Sequence, residues 1–132
     1  MFVIRDEQIQ NFIAKTDDEM VDVIKLALGE TNPARISGIE GSMLADMIRA
    51  GIERARSHEL SRAEDIAAFV AVMFEIAPNF DEQSQINDLL NHPKMTPTFR
   101  FYQTFEGVPE TAWEEAERNY NVEIWFTAKP SN

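Results

Sequence analysis

Cysteine is absent from the 132 residues of this chain, lysine and arginine number 12 against 23 acidic side chains, and histidine occurs twice. Without cysteine there are no disulfide frameworks, thiolate zinc sites or cysteine nucleophiles, a composition compatible with a reducing compartment. The shortage of basic residues argues against nucleic acid as a partner, because affinity for a phosphate backbone comes from Lys and Arg displacing counterions. No apolar run approaches the roughly 20 residues a membrane span requires. The amino terminus, Met1-Phe-Val-Ile-Arg-Asp-Glu-Gln, shows neither a basic n-region nor a sustained apolar h-region. The expectation is a protein that stays in the cytoplasm, with no membrane and no nucleic acid among its partners.

The net charge of −11 and the hydrophobic content of 44% describe one domain that buries a core without metal or disulfide staples, so residues 1–132 are expected to form a single helical unit. Ile66-Ala-Ala-Phe-Val-Ala-Val-Met-Phe-Glu-Ile-Ala-Pro78 carries Glu75 as its one charge, and a helix apolar on nearly every side belongs inside a fold. Ser61-Arg-Ala-Glu64 has capping-box form directly before it, so this buried central helix is expected over about 61–77. Ile66, Phe69, Val70, Met73 and Phe74 form its large-residue stripe, while Ala67, Ala68 and Ala71 leave a face for a close neighbour.

Around it, Ile9, Phe12, Ile13, Thr16, Met20, Val23, Ile24, Ala27 and Leu28 keep helical spacing, which predicts one long helix from about Asp6 to Leu28 stopped by Gly29. Thr16-Asp-Asp-Glu19 is a second capping box that would split it, but the unbroken apolar register favours one helix. Residues 29–41 read as a loop. Ser42 is the expected N-cap of a helix to about Ser57, with Leu44, Met47, Ile48, Ile52 and Ala55 inward and Asp46, Arg49, Glu53 and Arg56 outward. Shorter helices follow: about Glu82 to Asn91 with Asp81 as N-cap, Thr96-Pro97 to Phe105, and one opened by Pro109 carrying Trp113, Ala116 and Tyr120. Val122-Glu-Ile-Trp-Phe126 alternates as a short strand or extended segment does, which makes 122–132 a candidate docking tail. The fold class is all-α, an orthogonal bundle of roughly five or six helices.

Chemistry has little to build on. His58 and His92 both stand beside predicted helix ends, where histidine caps more often than it catalyses. No nucleophile-elbow pattern surrounds a serine. Asp88 and His92 at i, i+4 would supply only two metal ligands. The chain is therefore expected to be non-enzymatic, with no catalytic residues, no metal and no cofactor. Glu75 needs a partner if buried, and Arg54 on the preceding helix is assigned to it as a structural pair.

Binding has more to build on, because six glutamates stand against Arg118 alone between residues 106 and 126, interleaved with Trp113, Tyr120, Trp125 and Phe126. Aromatic anchors in a charged rim are the material of interface hot spots. Trp113, Glu114, Glu117, Trp125 and Phe126 are the candidate partner-binding residues, although Trp113 and Tyr120 also fit as core residues of the last helix. An acidic surface favours a basic protein partner, the alternative being that the acidity serves solubility alone.

In Met1-Phe-Val-Ile-Arg-Asp-Glu-Gln, Ile48-Arg-Ala-Gly51-Ile52-Glu-Arg54-Ala55 and Val72-Met73-Phe74-Glu-Ile-Ala-Pro78-Asn-Phe80-Asp81, the chain resembles a family of small helical proteins of Gram-negative bacteria. Its members are commonly encoded beside type VI secretion spike proteins, PAAR-repeat tips and toxic effectors. The resemblance spans most of residues 1–92, and its motifs are packing patterns that carry over no catalytic residue. The chain departs from the family at Glu59-Leu60, where Gly-Ile is frequent, and at Ala77, where Gly is frequent. The resemblance implies an adaptor or chaperone for a type VI effector or spike component. The alternatives are a cognate immunity protein that blocks a cytoplasmic toxin and, third, a small enzyme. An inhibitor that mimics phosphate would lose affinity steeply in salt, and a chaperone much less.

Overall fold

The computed structural model describes residues 16–127. They form eight α-helices and one 3-10 turn, with no strand among the described residues: α1 (Asp17–Thr31), α2 (Pro33–Ile36), α3 (Gly41–Ser57), α4 (Ala63–Glu75), the turn Phe80–Glu82, α5 (Ser84–Leu90), α6 (Pro97–Gly107), α7 (Glu110–Arg118) and α8 (Ile124–Thr127). Two of the eight are single turns, which the sequence pattern, with five or six helices expected, does not register. None is long and apolar enough to cross a membrane.

α4 is the buried central helix, every residue from Asp65 to Phe74 except Ala68 being shielded from solvent. α3 packs along it and α1 packs on both. The close approach is made by Gly51 of α3. A Cβ there would stand 3.0 Å from Cγ2 of Val70 and 3.3 Å from Sδ of Met73, so the missing side chain sets the interhelix spacing. On the other flank Phe69 meets Phe80 at 4.8 Å and Phe101 at 5.6 Å between ring centroids. Phe80 meets Trp113, Trp113 meets Phe105 and Phe105 meets Phe101 at 6.0, 6.0 and 5.2 Å, closing a ring of five aromatics that ties α4, the 3-10 turn, α6 and α7 together.

Local chemistry corrects several expected boundaries. Thr16 is extended (φ −136°, ψ 162°) and its side chain accepts from the Glu19 amide, so α1 starts at Asp17 and the capping box outweighs the apolar register. Ile9, Phe12 and Ile13 lie outside the described residues. α1 passes through Gly29 and ends at Asn32, whose amide bonds to the Leu28 carbonyl. Asn32-Pro33 then opens α2 inside the expected loop, Pro at the first helical position having no amide to waste. Glu40, not Ser42, caps α3, accepting from the Ser42 and Met43 amides. Ser61 does not cap α4. Arg62 is the N-cap residue, without a side-chain bond to the helix, and its guanidinium pairs with Glu64 instead. Thr96 does cap α6, with Pro97 following.

The outward residues of α3 hold the start of α1. Arg49 reaches Asp18 at 2.7 Å and Arg56 reaches Asp17 at 2.8 Å. The segment expected as a strand or extended tail turns instead into α8, which packs on α3. Residues 128–132 of the expected docking tail lie outside the described residues.

Candidate functional site: an acidic groove with an aromatic floor

Along α7, Glu110, Trp113, Glu114 and Glu117 follow the i, i+3, i+4, i+7 spacing that puts them on one face. Trp113 turns into the core, 6% exposed, while the three glutamates stand in solvent. That face closes one side of a groove of about 600 Å³, whose remaining lining is Glu75 and Ile76 from the end of α4, Phe105 of α6 and Val108 in the connection. Four carboxylates therefore surround a floor of Ile76, Phe105, Val108 and Trp113. The indole Nε1 of Trp113 is buried and has no hydrogen-bond partner.

Glu75 is not the buried, Arg54-paired residue expected. Its side chain is 28% exposed, Oε1 accepts from Nδ2 of Asn32 at 2.8 Å, and Oε2 lies 3.9 Å from Arg35. Arg54 sits in the last turn of α3, where it faces the 3-10 turn. It donates through Nε to Oδ2 of Asp81 at 2.9 Å and through Nη2 to Oδ1 at 2.8 Å. Asp81 is consequently not the N-cap of α5, a role taken by Gln83.

His58 completes this second cluster, with Nε2 2.7 Å from Oδ2 of Asp81 and its ring 5.4 Å from that of Phe69. Burial pushes the Asp81 carboxyl up, but hydrogen bonds from His58 and Arg54 and the Arg54 charge pull it further down, to a net value below the ordinary one. A His–Asp dyad is catalytic only beside a nucleophile or a bound reactant. Here Arg54 takes the carboxylate and Asn87 bonds the Asp81 carbonyl at 3.0 Å, so the cluster ties α3 to the turn.

A third polar cluster surrounds Asp65, which is 1% exposed. Thr98 of α6 donates to its Oδ2 at 2.6 Å, and Oδ1 has no hydrogen-bond partner. Burial first, and then the nearby Asp65 carboxylate, push the Tyr102 phenol well above its usual range. No group of three or more metal-ligating side chains occurs among the described residues.

Of the candidate partner-binding residues, Trp113, Glu114 and Glu117 come together in the groove and two do not. Trp125 is 3% exposed, packed in a tilted arrangement against Phe74 at 4.5 Å between ring centroids, and donates through Nε1 to the Tyr120 hydroxyl at 2.8 Å. It is a core residue, because the turn of α8 folds it back onto α4. Phe126 stays 55% exposed, apart from the groove lining. Sequence reasoning missed Glu75, Ile76, Phe105 and Val108. The helical register of α7 identifies its own face, but only the path of the chain brings the end of α4 opposite it. A scan against protein-family models and searches of curated proteins and solved structures each returned no match.

Proposed function

We propose that this protein is a non-enzymatic adaptor or chaperone that receives a basic, partly apolar segment of a partner protein in the acidic groove, the partner being an effector or spike component of type VI secretion. The observation that supports the binding role is the placement of Glu75, Glu110, Glu114 and Glu117 around an apolar floor. Among the described residues Glu110 and Glu114 make no ion pair, and Glu75 and Glu117 share Arg35 at 3.9 and 3.8 Å. Such a surface attracts a cationic partner over distance and offers it an apolar seat on contact. The assignment to type VI secretion rests on the resemblance of residues 1–92 alone.

The second reading, an immunity protein, draws on the same carboxylates, which would cover a basic catalytic surface on a toxin. Co-expression with the effector or spike protein encoded beside it separates the two. Copurification that raises soluble partner without protecting the cell supports the adaptor. Protection of the producing cell replaces it with the immunity role. No association, or association untouched by Glu110→Gln, Glu114→Gln and Glu117→Gln together, removes the groove from either.

A further inference from the structure

Groove and cation are already joined once within the molecule. Arg35, on the short helix α2, places Nη2 3.9 Å from Oε2 of Glu75 and 3.8 Å from Oε2 of Glu117. Arg35 does not itself line the groove, but from its edge it links a carboxylate of each side, Glu75 at the end of α4 and Glu117 on α7. Neither contact reaches hydrogen-bond distance, and the guanidinium side chain is 47% exposed. An exposed ion pair of this length contributes little net stability and separates easily.

Its neighbour Asn32 behaves differently. Asn32 is buried and holds Glu75 through a 2.8 Å hydrogen bond, so the groove side made by Glu75 stays in place whether or not Arg35 is there. Glu110 suits the first turn of α7, but the carboxylates on this face crowd one another. Glu110 and Glu114 repel at i, i+4, and Glu117 sits in the last turn, where the helix dipole favours a cation. A cation between α4 and α7 relieves that repulsion, and a loosely held internal arginine does so only in part.

We infer that Arg35 is a resident cation that occupies the groove's charge position and yields it to a lysine or arginine of the partner segment, so that binding is a competition between an internal and an external cation. This rests on the groove being the partner site. It commits the occupant to a segment with basic side chains flanking an apolar one. The basic residue replaces Arg35 between Glu75 and Glu117, and the apolar one covers Phe105, Val108 and Trp113.

The test is fluorescence anisotropy of a labelled lysine–leucine peptide, with a glutamate–leucine peptide as control, titrated with the full chain. Removing the competitor in Arg35→Gln is expected to tighten binding roughly two- to fivefold, the size of one exposed ion pair. Arg62→Gln makes the same change in net charge at the opposite end of α4, beyond a Debye length, and is expected to leave the dissociation constant unchanged. Glu117→Gln should weaken binding and erase the gain from Arg35→Gln. If the wild-type protein binds the peptide and Arg35→Gln binds no better, or gains no more than Arg62→Gln, the competition is overturned while the groove stands. If neither protein prefers the lysine peptide, the groove reading falls and this inference with it. Circular dichroism of each variant confirms that the fold is retained.

Discussion

Arg54 and Asp81 meet as a fork, two parallel hydrogen bonds of 2.8 and 2.9 Å between a guanidinium 17% exposed and a carboxylate 4% exposed. Taking one partner away leaves a desolvated charge behind, which costs about 3–5 kcal/mol. Asp81→Ala and Arg54→Ala should each lower stability by that order in urea titration. The double variant should lose clearly less than the sum, since the second deletion removes the stranded charge. Strict additivity would show that the two side chains do not depend on one another.

The same carboxylate gives an acid dependence whose sign is fixed. Asp81 is held below its ordinary value of 3.8 in the folded chain, because the His58 and Arg54 contacts outweigh burial. A carboxyl with a depressed folded value contributes stability that is complete above the unfolded value and is lost as pH falls through the folded one. The free energy of unfolding should therefore drop below about pH 4, and Asp81→Asn should show a shallower drop in the same window. An unaltered slope in Asp81→Asn would place the acid sensitivity elsewhere.

What the sequence makes legible is the buried helix and the helical registers. Ile66, Phe69, Val70 and Met73 of α4 are inward as their spacing demands. The errors arise where two local signals compete or where contacts cross the chain. At Thr16 a cap competes with a continuing apolar stripe, and the hydrogen bond to the Glu19 amide decides it. Glu75 and Arg54 are placed on adjacent helices correctly, yet their partners come from Asn32 and Asp81, distant in sequence. For the groove, periodicity yields the face of α7, while Glu75 and Phe105 join it only through tertiary packing.

Gly51 supplies a packing test with two opposed terms. Alanine in a helix interior is favoured over glycine by about 0.5–1 kcal/mol, but its Cβ would press on both methyls of Val70, at 3.0 and 3.2 Å. Val70 is fully buried and stiff at χ1, so it cannot rotate away cheaply. Overpacking of this kind costs about 1–3 kcal/mol and should win. Gly51→Ala is expected to destabilise by about 1 kcal/mol, and Gly51→Val by more. A rise in melting temperature for Gly51→Ala would mean that α3 shifts outward without penalty.

Trp125 and Phe126 are adjacent in sequence and opposite in consequence. Trp125 packs against Phe74 and donates to Tyr120, whereas Phe126 is more than half exposed. Trp125→Ala removes a buried indole and should cost about 3–5 kcal/mol. Trp125→Phe keeps a ring against Phe74 but gives up the indole hydrogen bond and part of the volume, for a loss of about 1–2 kcal/mol. Phe126→Ala should stay within about 0.5 kcal/mol, as surface substitutions do. Urea titration followed by far-ultraviolet circular dichroism separates the three. The ordering matters for any experiment on partner binding, because a truncation at residue 122 removes Trp125 together with the tail. Lost binding in such a truncation would report a weakened core, whereas lost binding in Phe126→Ala at unchanged stability would report a contact. Equal losses of stability in Trp125→Ala and Phe126→Ala would show that α8 does not seat Trp125 on Phe74 in solution.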